Sequence, residues 1–156
     1  MALSNLCALK GEIAQAEEWL EQVLDEFPDD KGAMNDLGYL WADANKNLGR
    51  AKRMIQAAVD AEPGNMAYRD SLGWVLFRLG KCREAVVELE KAAADKKPDG
   101  VVFDHLGDAY RKLNQQDKAA AAWRRAAALF HKEKDVKKAG LVEKKITDKG
   151  RSTNDE

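Results

Sequence analysis

The 156-residue sequence predicts an all-α fold, an α-α superhelix of stacked antiparallel helix pairs, on three observations. A leucine–glycine pair recurs at Leu37-Gly38, Leu72-Gly73 and Leu106-Gly107, at intervals of 35 and 34 residues. A fixed period of this length marks stacked supersecondary units. Each pair is followed by an alanine, a large apolar residue four on and a second alanine three beyond that, which is one face of a helix. Between the two stretches of each unit stands a turn signal: Asn45–Gly49, Gly80-Lys81 or Asn114-Gln115.

The elements follow in chain order. Ala16, Leu20 and Val23, closed by Pro28, predict a helix over 12–26. Met34, Leu37-Gly38 and Trp41 predict 30–43, and Ala51, Ile55 and Ala58 before Pro63 predict 50–61. Leu72-Gly73 and Leu76 mark 65–79, and Ala85, Leu89 and Ala92 before Pro98 mark 82–95. Phe103, Leu106-Gly107 and Tyr110 give 99–113, and Ala119, Trp123 and Ala126 give 116–130. A last helix, 134–147, is predicted from Val136, Ala139, Val142 and Ile146, with Lys137, Lys138, Lys144 and Lys145 on its opposite, solvated face. The small residue of each Leu-Gly pair lets two helices approach closely.

This pattern resembles the tetratricopeptide repeat (TPR): a large residue, Leu-Gly, an aromatic, Ala-x3-large, then Pro. The resemblance covers nearly the whole chain, with three departures. The Asn45–Gly49 turn is one residue longer, Pro98 comes one residue late, and His131 stands where a closing proline is expected. It divides the chain into a truncated repeat (1–29), three repeats (30–64, 65–98, 99–131), a capping helix (132–148) and a polar, disordered tail (149–156). Pro28 lies one period before Pro63, so the first repeat lacks most of its leading helix. The reading that follows is a piece of a longer array.

Composition fits a folded chain, with 45% hydrophobic and 34% charged residues. No apolar run approaches the length of a membrane span. Cys7 and Cys82 lack CxxC spacing and read as free thiols, which suits a reducing, cytoplasmic setting. The net charge of −1 hides an asymmetry: residues 1–30 carry eight acids and one base, and residues 132–151 eight bases and four acids. Both read as solvated helix faces. The basic end has no interleaved aromatics, so nucleic-acid binding is not expected.

Enzyme chemistry finds no support. There are two histidines, and no HExxH, phosphate loop or nucleophile elbow. Of Asp104, His105 and Asp108, the two carboxylates share a helix face and could meet one ion, but a transition-metal site needs three or four ligands. They read as a polar surface lining. No cofactor is expected.

The resemblance implies that the first helix of each repeat lines a concave groove. It places there Asn35, Tyr39 and Asp43; then Asp70, Ser71, Trp74, Phe77 and Arg78; then Asp104, His105, Asp108, Arg111 and Lys112. Trp74 is open to either reading, groove anchor or helix packing. TPR domains that capture C-terminal carboxylates carry a Lys/Asn/Arg set at these places, and this chain does not. The expected function is a protein–protein interaction scaffold. Its ligand would be a peptide with basic and apolar side chains, because aromatic rings beside carboxylates suit both. The alternative is self-association through the open first repeat, at Leu3, Leu6 and Cys7.

Overall fold

A computed structural model describes residues 12–148 and places eight α-helices among them. The first helix remnant (1–9), with Leu3, Leu6 and Cys7, and the tail at 149–156 lie outside the described residues. The chain divides into two compact units at Lys81 and Cys82.

The first unit holds α1 (Ile13–Glu26), α2 (Lys31–Asp43), α3 (Leu48–Ala61) and α4 (Met66–Arg78). Helix α2 packs on α1, α3 and α4, and α3 also meets α4. The residues that carried the periodicity form the core: Ala16, Leu20, Leu37, Trp41, Ala51, Ile55 and Ala58 are all fully buried. Helices α2 and α4 begin one residue later than their polar starts suggest, because those residues are caps. Asp30 accepts the Ala33 N–H at 2.7 Å, and Asn65 that of Tyr68 at 3.4 Å.

The second unit holds α5 (Cys82–Ala93), α6 (Gly100–Lys112), α7 (Gln116–Lys132) and α8 (Val136–Thr147). Each packs on the next in sequence. Asp99 caps α6 and Asp135 caps α8. Helix α7 runs two residues past its expected end, and α8 starts two residues late. Cys82 is a buried free thiol.

One turn geometry recurs. Asn45, Gly80, Asn114 and Lys134 all adopt positive φ, between 54° and 78°. After each, the next N–H returns to a carbonyl five residues back: Lys46 to Trp41, Lys81 to Leu76, Gln115 to Tyr110 and Asp135 to Phe130, at 2.8–2.9 Å. That bond closes a helix end whose last carbonyls have no partner inside the helix. Asparagine and glycine fit the left-handed slot, which is why turn residues at these places were legible. The long turn at Asn45 uses a second left-handed residue, Asn47 (φ 50°), and α3 starts directly after it, two residues earlier than expected.

Gly38 and Gly107, one in each unit, sit at close contacts. A Cβ on Gly38 would lie 2.7 Å from Ile55 Cγ1, and one on Gly107 would fall inside the indole of Trp123.

Candidate functional site

The predicted groove residues fall on α2 and α4 of the first unit and on α6 of the second. Their exposures differ sharply. On α2, Asn35 is buried; its Nδ2 donates to Asp36 Oδ1 at 3.2 Å, while its shielded Oδ1 accepts no bond. Burial raises the Asp36 carboxyl above its ordinary value, against the opposing bond from Asn35. Tyr39 is half-buried and Asp43 exposed.

On α4, Asp70, Ser71 and Trp74 are buried and Phe77 and Arg78 half-buried. The Ser71 hydroxyl bonds back to the Ala67 carbonyl at 3.1 Å. The Trp74 and Phe77 rings stack, with centroids 5.2 Å apart and planes 16° from parallel. The Arg78 guanidinium lies 5.6 Å from the Trp74 centroid. Three side chains thus form one aromatic–cation cluster whose open part is Phe77 and Arg78. At 7% exposure Trp74 is a packed residue that supports this cluster.

On α6, His105 is buried, and Asp104 and Asp108 are half-buried one turn apart. Here the structure corrects the sequence reading. Lys145, assigned to the solvated face of the last helix, turns onto α6. Its Nζ donates to Asp104 Oδ1 at 2.7 Å and to both carboxylate oxygens of Asp108 at 2.9 Å. The predicted apolar stripe of α8 is rotated accordingly: Ala139 and Val142 are buried, Ile146 is half-buried, and Val136 at the helix start is 70% exposed. Arg111 lies over Trp123, 5.1 Å from the ring centroid, and Lys112 is exposed.

Glu17 on α1 was also read as solvated, and it too has a partner role. It accepts the Trp41 Nε1–H at 2.6 Å and bonds Lys46. Burial pushes its carboxyl up, but these two bonds and the lysine charge outweigh that and leave it below its ordinary value of 4.5. The available signal was Trp41 itself, since a buried indole N–H usually finds an acceptor. In the second unit the Tyr110 hydroxyl donates to Glu90 at 2.5 Å. Burial first, then this bond, hold the phenol well above its usual range.

Tetratricopeptide repeat models match residues 43–101 and 102–132. The chain belongs to the tetratricopeptide repeat family. A relative, the TPR repeat-containing protein PA4667 of Pseudomonas aeruginosa PAO1, is 36% identical over 105 residues. That alignment covers 67% of this chain and 18% of the relative, so this TPR chain spans under a fifth of that protein's length. Among solved structures, MamA AMB-1 superposes with a TM-score of 0.63 at 22% identity, over 83% of this chain and 76% of that one. MamA from Desulfovibrio magneticus RS-1 gives 0.62 at 20%, over 98% and 94%. The fold is therefore the all-α TPR solenoid that the repeat predicted. TPR chains are in general protein-interaction scaffolds, which bind proteins or peptides. Among the described residues no helix is long and apolar enough to cross a membrane.

Proposed function

We propose that this scaffold receives a peptide or protein segment on the first-helix faces of its repeats, with the α4 cluster as the apolar anchor. The observation that carries this reading is the stacked pair Trp74–Phe77 with Arg78 beside it. A half-buried aromatic ring held in place by a buried one presents contact area at little further entropic cost, which is the character of an interface anchor. Phe77 and Tyr39 are the rings a partner touches; Trp74 stacks on Phe77 and supports it, and Asp70 and Asn35 are buried. In the second unit, the acids Asp104 and Asp108 on α6 favour basic side chains in a segment received there, and Lys145 already demonstrates that chemistry. His105 is buried beside them and Arg111 is engaged with Trp123, so both act as support.

A photoreactive residue at position 77 tests this against one at Asp60, an exposed site on α3. Partners should be trapped from 77 and not from 60. For a trapped partner, Phe77→Ala should weaken binding about thirtyfold, the equivalent of ~2 kcal/mol. Trapping from 60 alone sinks the groove reading.

A second reading, self-association, is favoured by the apolar side chains that α1 and its exit leave open. Ile13 is 41% and Phe27 57% exposed. Light scattering across a concentration series decides it: a mass that doubles, and stays single in Ile13→Glu with Phe27→Glu, favours this face. A single mass throughout rules it out.

A further inference from the structure

Helix α8 carries the marks of an element that can come away. Its Gly140 faces open space, for a Cβ there would meet no atom within 4 Å. Glycine inside a helix weakens it relative to alanine, and at this position no close approach demands it. The turn leading into α8 sets Lys134 at φ 63°, in the slot that Asn45, Gly80 and Asn114 fill elsewhere. A lysine is less at ease there than asparagine or glycine. Apolar anchorage is narrow: Ala139 and Val142 are buried and Ile146 half-buried, but Leu141 is 54% exposed and Val136 more so. The His131–Glu143 pair at 2.7 Å is about half exposed on both sides, where ion pairs contribute little.

What ties the far end of α8 down is Lys145. Its ammonium, side chain 28% exposed, meets two carboxylates through three oxygens, and those carboxylates are 25% and 15% exposed. A cation so placed is much less screened than one at the open surface. The two acids lie one turn apart on the helix face that the proposed function assigns to a partner.

We propose that α8 is a detachable strap, and that its Lys145 occupies from within the chain the place on α6 that a lysine of a bound partner segment takes. The inference rests on the reading of α6 as a receiving face. The partner's chemistry is then that of the strap: a lysine three residues after a medium-sized apolar side chain, as Lys145 follows Val142. Such a segment competes with α8, and the strap sets a threshold that weak or lysine-free segments do not cross.

Hydrogen exchange on the full chain tests the strap without any partner. Gly140→Ala should slow exchange over residues 136–147 about fivefold, and Lys145→Met should speed it about tenfold. Fluorescence anisotropy with a labelled peptide copying residues 136–147 tests the competition. The Lys145→Met chain should bind that peptide about tenfold more tightly than the unaltered chain, and Gly140→Ala more weakly. Adding Asp104→Asn and Asp108→Asn to Lys145→Met should erase the gain. Exchange over 136–147 that ignores both substitutions overturns the strap itself. If exchange responds but the gain is missing or survives loss of both aspartates, α6 is not the receiving face and the competition falls.

Discussion

Gly38 and Gly107 hold the same place in two repeats, yet what stands against them differs. In the first unit the facing groups are the aliphatic Ile55, its Cγ1 2.7 Å from where a Cβ would lie, and the Ala51 backbone oxygen at 3.1 Å. In the second the facing group is the indole of Trp123, rigid and 1% exposed. The tryptophans divide the same way. Trp41 is fully buried with its N–H bonded to Glu17, whereas the Trp123 N–H is buried with no hydrogen-bond partner. A shared repeat pattern thus sets where helices meet, and the opposing residue sets how tightly. Gly107 meets the tighter fit, against an indole whose N–H is unmet, and Gly38 the looser one, on the helix whose Trp41 N–H is satisfied.

The largest test of this contrast is Gly107→Ala. It should destabilise the chain by about 1–3 kcal/mol, because the added methyl enters a ring that cannot fold aside. Denaturant unfolding would measure it, and a loss no larger than that of Gly38→Ala breaks the comparison. Next come the tryptophans. Trp41→Phe should cost roughly 1–2 kcal/mol, through the lost bond to Glu17 and the volume of the missing ring edge. Trp123→Phe loses similar volume but also removes an unpaired N–H, so its cost should be the smaller in the same unfolding experiment. Gly38→Ala should cost about 1 kcal/mol, less than Gly107→Ala, because the methyl meets Ile55 Cγ1 and the Ala51 carbonyl oxygen and better helix propensity offsets only part of that. The smallest effect is one of pH. The Glu17 carboxyl is lowered by folding, so its contribution is present above the ordinary value of 4.5 and is lost as pH falls through the folded value below it. The stability difference between the unaltered chain and Glu17→Gln should therefore shrink on acidification below about pH 4, the ordinary carboxyl range. A difference that stays constant there shows that the tie to α1 does not depend on the ionised carboxylate.

Most of the fold was legible because periodic positions are read by phase, and Leu37, Leu72 and Leu106 keep phase. Several errors at helix starts have a common origin. Asp30, Asn65, Asp99 and Asp135 are caps, a role visible in composition but easily counted as the first helical turn. Lys134 was not expected to carry a left-handed turn, since lysine gives no such signal, and α8 was started too early as a result. The candidate site was legible only as positions on first helices. The exposures of Trp74, Asp70 and His105 depend on how neighbouring side chains fill space, which no single-helix pattern contains. The two polar ties, Glu17 to Trp41 and Lys145 to Asp104 and Asp108, were missed for the same reason. A charge on a helix face looks solvated until the helix opposite is known.

The Lys145–Asp104 bond joins residues 41 apart in the chain, against 20 for Tyr110–Glu90 and 24 for Trp41–Glu17. That distance is also an interval of time. At about 5–20 residues per second of synthesis, Asp104 precedes Lys145 by roughly two to eight seconds. For that interval each newly made copy presents Asp104 and Asp108 without their later occupant. A partner abundant at the ribosome meets an open face on the nascent chain, whereas one encountered afterwards meets a closed one.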